Sequence, residues 1–411
     1  MRFVVAGLAV LIGSCATSTT GVDERLVALV DSEGSARAID IQSGAELARF
    51  SIAEDERLQF SVAPGGRLAM LRTLAAGTFL GADRIVLADL GGERENVDVL
   101  PAVDFALGGA CRQQPMAESV QVDIRWRADD RGLFVSCFQR MLDGTRVEGL
   151  AAVDRSGNAT ALAEPVFPLL TLADGSTLAA WEGSLVRITE AGAGPILEPY
   201  PIVLDDEQQL AGLLADGYAT VEERDNGLGT VFRTERILRY DESGAPQTIY
   251  TAREGRTAYR LATSLTSGVI FLASWQGDDG PRDTGTAFER IDVRRGAASE
   301  PVPCEFLPIG APFEFIGPNG TGFVQCRNTL HHIDADGQRQ VVQLDGNVLG
   351  SAAFGERSSR VLIRSWPESG SSEARWELYD PETNARAPID GLPANTLVVQ
   401  WRLPADARAP R

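Results

Sequence analysis

Along most of the chain apolar and polar positions alternate in short runs broken by Asp, Gly, Pro and Ser, the period of half-buried strands. The clearest copy is AIDIQSGAELARF at 38–50. Side chains alternate over 38–41, Asp40 opens a turn that closes at Gly44, and 47–52 run back. An Asp at the first turn position can accept a hydrogen bond from backbone further on, and Gly takes the left-handed conformation that a side chain makes costly. The pattern returns at Asp89 with Gly92, Asp154 with Gly157, Asp241 with Gly244, Asp292 with Gly296, Asp334 with Gly337 and Asp380 with Asn384. A weaker copy has Thr189 and Gly192.

These eight anchors are about 49 residues apart on average, within the roughly 40 to 50 of a four-stranded propeller blade. The space before each hairpin holds two further alternating segments, such as 208–213 and 218–222, or 313–316 and 322–326. A unit therefore reads A, B, C, D. Only 26–30 precedes the first hairpin, whereas 396–401 is a strand left over at the other end, so the two together complete one blade and close a ring without exposed edges. The expectation is an all-β chain, a β-propeller of eight four-stranded blades over 25–403 with a disordered tail at 404–411. Seven blades is the alternative, because the step to the third anchor is long and the step to the fourth is short. Two ordinary β-sandwiches are the plainer reading.

The first fourteen residues have a positive Arg2, an apolar run over 3–11 too short to span a bilayer, and Ile12, Gly13 and Ser14 before Cys15. This resembles the lipobox of bacterial lipoproteins. The resemblance implies a signal peptide at 1–14 cleaved before Cys15, which then carries the lipid. An ordinary secretory signal cut elsewhere is the alternative. Residues 15–24 read as a lipidated tether, and Ala16 in place of Asp would, by the enteric sorting rule, direct the protein to the outer membrane facing the periplasm.

Four cysteines remain, which permit three pairings. Cys111 and Cys304 each lie ahead of an A strand, and Cys137 and Cys326 on the B strand that follows. The repeat thus pairs Cys111 with Cys137 and Cys304 with Cys326, formed in an oxidising envelope. Buried free thiols are the alternative.

All 38 basic residues are Arg, against 57 acids, for a net charge of −19. Such a body repels nucleic acid and anionic headgroups, so no nucleic-acid partner is expected and membrane contact runs through the lipid anchor of a monomeric body. Without Lys there is no Schiff base and no Walker A loop. The only histidines, His331 and His332, are adjacent on a strand and point to opposite faces, which prevents easy chelation of one metal. Carboxylate pairs of the glycosidase kind stay open, because spacing in three dimensions decides them.

Connections between B and C strands are long at 73–83, 223–230, 275–284 and 365–372, with the segment 101–119 beside them, while the C-to-D turns are short. That long-loop face is the candidate functional surface. Its candidate binding loop, WQGDDGPRDT at 275–284, sets Asp278, Asp279 and Asp283 beside Trp275, expected to be exposed. Three carboxylates could supply half of a calcium shell, but the spacing is not that of an EF-hand. A solvated acidic loop is the plainer reading, and no cofactor or metal is assigned.

Residues 38–50 resemble the repeat of quinoprotein-like propellers, with Phe50 where that family has a docking Trp. The adjacent cysteines and dense tryptophans that hold the quinone there are missing. The resemblance therefore points to the non-enzymatic lipoprotein members of that group. It implies a lipid-anchored scaffold or protein-binding module of the cell envelope, with an envelope protein as partner. The alternative is an envelope enzyme or ligand-binding protein for a sugar-like substrate, using carboxylates in a central funnel.

Overall fold

A computed structural model describes residues 25–402 apart from short stretches, the longest being 75–81, 226–231, 277–285, 306–313 and 368–374. The signal 1–14, Cys15, the tether to residue 24, the tail 404–411, and Asp278, Asp279 and Asp283 lie outside the described residues.

The strands form eight antiparallel sheets of four, the sixth extended by the two-residue strand Val302–Pro303. This is an all-β, eight-bladed β-propeller, as the eight hairpins predict, and neither seven blades nor a pair of sandwiches describes it. Asp40, Asp89, Asp154, Asp241, Asp292 and Asp380 each end the third strand of their blade, and Asp334 follows directly on Thr329–Ile333. The turn mechanism is visible atom by atom. Asp40 Oδ1 accepts from the Ser43 amide at 2.9 Å, Asp89 Oδ1 from the Gly91 amide at 2.9 Å, and Asp334 Oδ1 from the Asp336 amide at 2.9 Å. Gly44 and Asn384 close their turns at φ +70° and +55°. The Thr189 copy differs, because Thr189 lies inside the strand Ser184–Ala191 and pairs with Ile196.

The chain divides into two compact units. The first comprises Met1–Val203, Ala353–Leu362 and Ala387–Arg411. Here the C-terminal strand Thr396–Arg402 pairs antiparallel with Arg25–Ser32, so both ends of the chain build blade 1. The joint is apolar: Leu29, Val398 and Trp401 are buried. It is also fastened to blade 2, for Arg402 Nε donates to the Gly66 carbonyl at 2.8 Å and its Nη2 to that of Leu90 at 3.3 Å. Blades 2 and 3 share a core of Leu68, Ile85, Leu87, Val122, Val135 and Val153.

The second unit comprises Leu204–Ala352 and Ile363–Arg386. Blades 5 and 6 pack through Ala211, Val221, Ile237, Tyr250, Ile270, Leu272 and Ile291. Phe271, Phe288, Val324 and Ile333 join blade 6 to blade 7.

The two disulfides are those the repeat predicts, Cys111 with Cys137 and Cys304 with Cys326, each with Cα atoms 5.0 Å apart. The segment 101–119, read as a loop, instead starts as the helix Leu100–Ala106.

Candidate functional site

Each blade has a turn end, where the Asp and Gly turns join the third strand to the fourth, and a loop end. No third-to-fourth connection exceeds seven residues, whereas 277–286 and 75–83 join second strands to third in blades 6 and 2. The loop ends of blades 2, 3, 5 and 6 carry the candidate features among the described residues.

In the first unit the helix Leu100–Ala106 bridges blades 2 and 3. Pro101 sits in its first turn, and Asp98 Oδ1 accepts from the Leu100 amide at 3.2 Å. Leu100 and Val103 enter the core, and Leu107 lies against Gly149, where a Cβ would come within 2.9 Å of Leu107 Cδ2. Beyond the helix the chain is tied down several times. Asp104 Oδ1 accepts from the amides of Cys111 at 3.1 Å and Arg112 at 3.2 Å. Gln139 Nε2, fully buried, donates to the carbonyls of Gly109, Ala110 and Arg112 at 3.1, 2.8 and 2.6 Å. The Cys111–Cys137 bond adds a covalent tie. From this fixed support Phe105 projects with 89% of its surface exposed, and Leu142, in the next loop-end turn of blade 3, is 64% exposed. Exposing a Phe costs water structure that a loop residue could avoid, so a Phe held outward by so many restraints is informative.

In the second unit the loop end of the blade 5–6 interface is polar. Arg260 Nε stands 3.0 Å from Glu223 Oε1, and Arg260 also donates to Gln209 Oε1. Nearby on blade 6, Ser274 Oγ donates to Glu289 Oε1 at 3.3 Å, Arg253 Nη2 lies 3.5 Å from Glu289 Oε2, and Arg256 donates to Ser274. Burial raises the pKa of both carboxyls against the pull of the arginines. The same burial, with the Glu289 charge, pushes the Tyr250 hydroxyl up to about 12. Both acids are held by guanidinium groups, an arrangement that docks one blade on the next.

Trp275 is buried rather than exposed: it is 7% exposed and stacks on Tyr259 with centroids 4.5 Å apart. The strand Val269–Gln276 is the second of blade 6, paired with Arg256–Ser264 and Ala287–Asp292, and Val269 through Trp275 are all buried, so its last aromatic packs inward. No cluster of metal-ligating side chains occurs among the described residues. The histidines do face opposite ways. His331 meets Phe288 edge-on at 5.4 Å, while His332 stacks on Phe323 at 4.9 Å and meets Tyr379 at 5.8 Å. Burial lowers both pKa values, that of His331 to about 4, so both rings are neutral packing groups at pH 7.

Sequence reasoning missed Phe105 and its supports, although Asp98, Pro101 in the first turn and Gly108 and Gly109 at the end are ordinary helix punctuation.

No protein-family model matches the chain, and no curated protein sequence does. Solved structures similar to it include the dihydro-heme d1 dehydrogenase NirN in complex with DHE, at 12% identity over 93% of this chain and 75% of that one, TM-score 0.48. Apo AztD from Citrobacter koseri is 16% identical over 79% of this chain and 95% of that one, TM-score 0.40. The Dos1 propeller is 11% identical over 82% and 84%, TM-score 0.49. At such identity and overlap the likeness says nothing of what this chain binds, and its own strand pairing defines it as a β-propeller.

Proposed function

We propose that the protein is a lipid-anchored scaffold or protein-binding module of the bacterial cell envelope, anchored through Cys15 and docking an envelope protein at its loop end. The observation that carries this reading is Phe105, 89% exposed on a helix whose following segment is fastened by a disulfide, by Asp104 and by Gln139. Rigid aromatic side chains make efficient interface anchors because little conformational freedom is lost when they are buried. The two disulfides accord with an oxidising compartment, and the leader accords with export and lipidation.

The test is co-purification from cross-linked membranes of the native chain beside Phe105→Glu. A stoichiometric protein partner present with the first and lost with the second supports the reading. A partner retained undiminished by Phe105→Glu, in a variant of unchanged melting temperature, rejects this surface as the docking site.

A further inference from the structure

We infer that the turn end of blades 1 and 2 faces the lipid bilayer and that the loop end, with Phe105 and Leu142, points away from it. The inference rests on the reading of Cys15 as the lipid anchor and adds a direction to it. Its basis is where the folded chain begins. Arg25, the first residue of blade 1, pairs with Arg402, and the next pair along is Leu26 with Trp401. Arg25 Nη1 lies 3.6 Å from Asp40 Oδ2, and the Ile41 amide donates to the Leu26 carbonyl at 2.9 Å, so the strand starts beside the Asp40 to Gly44 turn. Arg402 then reaches Gly66 and Leu90, which are turn-end residues of blade 2. The helix bearing Phe105 follows the last strand of blade 2 at its other end, where the Val99 amide donates to the Ile85 carbonyl at 2.8 Å.

Chain length makes this placement directional. Nine residues, 16–24, can span at most about 30 Å. The strand Arg25–Ser32 is about 23 Å from end to end. Presenting the loop end to the bilayer would require those nine residues to run back along the blade, using about 23 Å of that reach, at a cost in chain entropy for each residue fixed. With the turn end down, no such stretch is required. The lipid surface thus occupies one end and a protein partner must approach the other from the aqueous side.

The experiment uses the full-length lipidated protein in phosphatidylcholine vesicles that carry acceptor-labelled lipid. Donor dyes are attached to Gln42→Cys at the turn end or Leu142→Cys at the loop end, both exposed positions. Energy transfer severalfold higher from position 42 than from 142 is expected, and a flexible insertion of twenty or so residues after Val22 should erase most of the difference. Equal transfer from both sites in the uninserted protein, or the reverse order, overturns the orientation while leaving the anchor intact. Failure of the protein to float with the vesicles, with Cys15→Ser behaving identically, overturns the anchor and the orientation with it.

Discussion

Arg260 grips Glu223 with two nitrogens, Nε at 3.0 Å from one carboxylate oxygen and Nη2 at 3.2 Å from the other, across the seam between blades 5 and 6. Only 9% of Glu223 is exposed. Much of that seam is apolar and would tolerate sliding, whereas a forked ion pair has one geometry. The pair therefore fixes how the two blades meet.

Removing Arg260 strands a buried charge. For Arg260→Ala we expect a loss of roughly 2 to 4 kcal/mol at pH 7.5, toward the low side of buried pairs because the arginine is partly solvated. Glu223 has a folded pKa above its unfolded value, so protonation favours the folded state and stability falls as pH rises through the folded pKa. Without Arg260 that pKa climbs further. The gap between wild type and variant should narrow from pH 7.5 to pH 5 in urea titrations; a gap of constant size would mean that Glu223 is not the stranded group.

The histidines act in the opposite sense. Their folded pKa values lie below the unfolded value of 6.5, so the stability they contribute is complete above 6.5 and is lost as pH falls through each folded value, about 4 for His331. For His331 the full difference approaches about 3 kcal/mol. His331→Phe, which keeps a ring against Phe288, should flatten the acid limb of the stability curve between pH 6.5 and 4. An acid limb identical to that of the wild type would remove His331 from the account.

The disulfides close loops of similar size, 26 and 22 residues, so chain entropy assigns each about 3.5 kcal/mol. Their consequences should still differ. Around Cys111 the backbone is also held by Gln139 and Asp104, so Cys111→Ser with Cys137→Ser should lower the melting temperature yet leave Phe105 binding a partner. Adding Gln139→Ala should then abolish that binding. Complete loss of binding in the disulfide variant alone would make the covalent tie the sole support.

Much of this was legible because the signals are local. Asp and Gly at a turn, a leftover strand at each end, and cysteines at equivalent repeat positions all follow from chain order. His331 and His332 fall on opposite faces because adjacent strand residues must. The Glu223 to Arg260 pair was not legible, since it depends on two blades meeting in one register. Trp275 was misread for a related reason. Its neighbours in the sequence are an acidic loop, but its neighbour in space is Tyr259. The helix at Leu100–Ala106 makes only about two turns, shorter than the window over which an apolar period is read, and its outward Phe105 blurs the pattern further.

The turn glycines supply a last prediction, because two of them share a conformation but not an environment. Gly44, at φ +70°, has nothing within 4 Å of where a Cβ would stand, whereas at Gly157, φ +84°, that carbon would lie 2.5 Å from Val97 Cγ1. Gly44→Ala should cost only the left-handed strain, about 1 to 2 kcal/mol, and Gly44→Asn less. Gly157→Ala carries that strain together with about 1 to 3 kcal/mol of overpacking against blade 2. Chemical denaturation of the three variants separates the effects. Equal losses for the two alanines would show that Val97 yields freely, leaving backbone conformation as the whole reason for glycine at both turns.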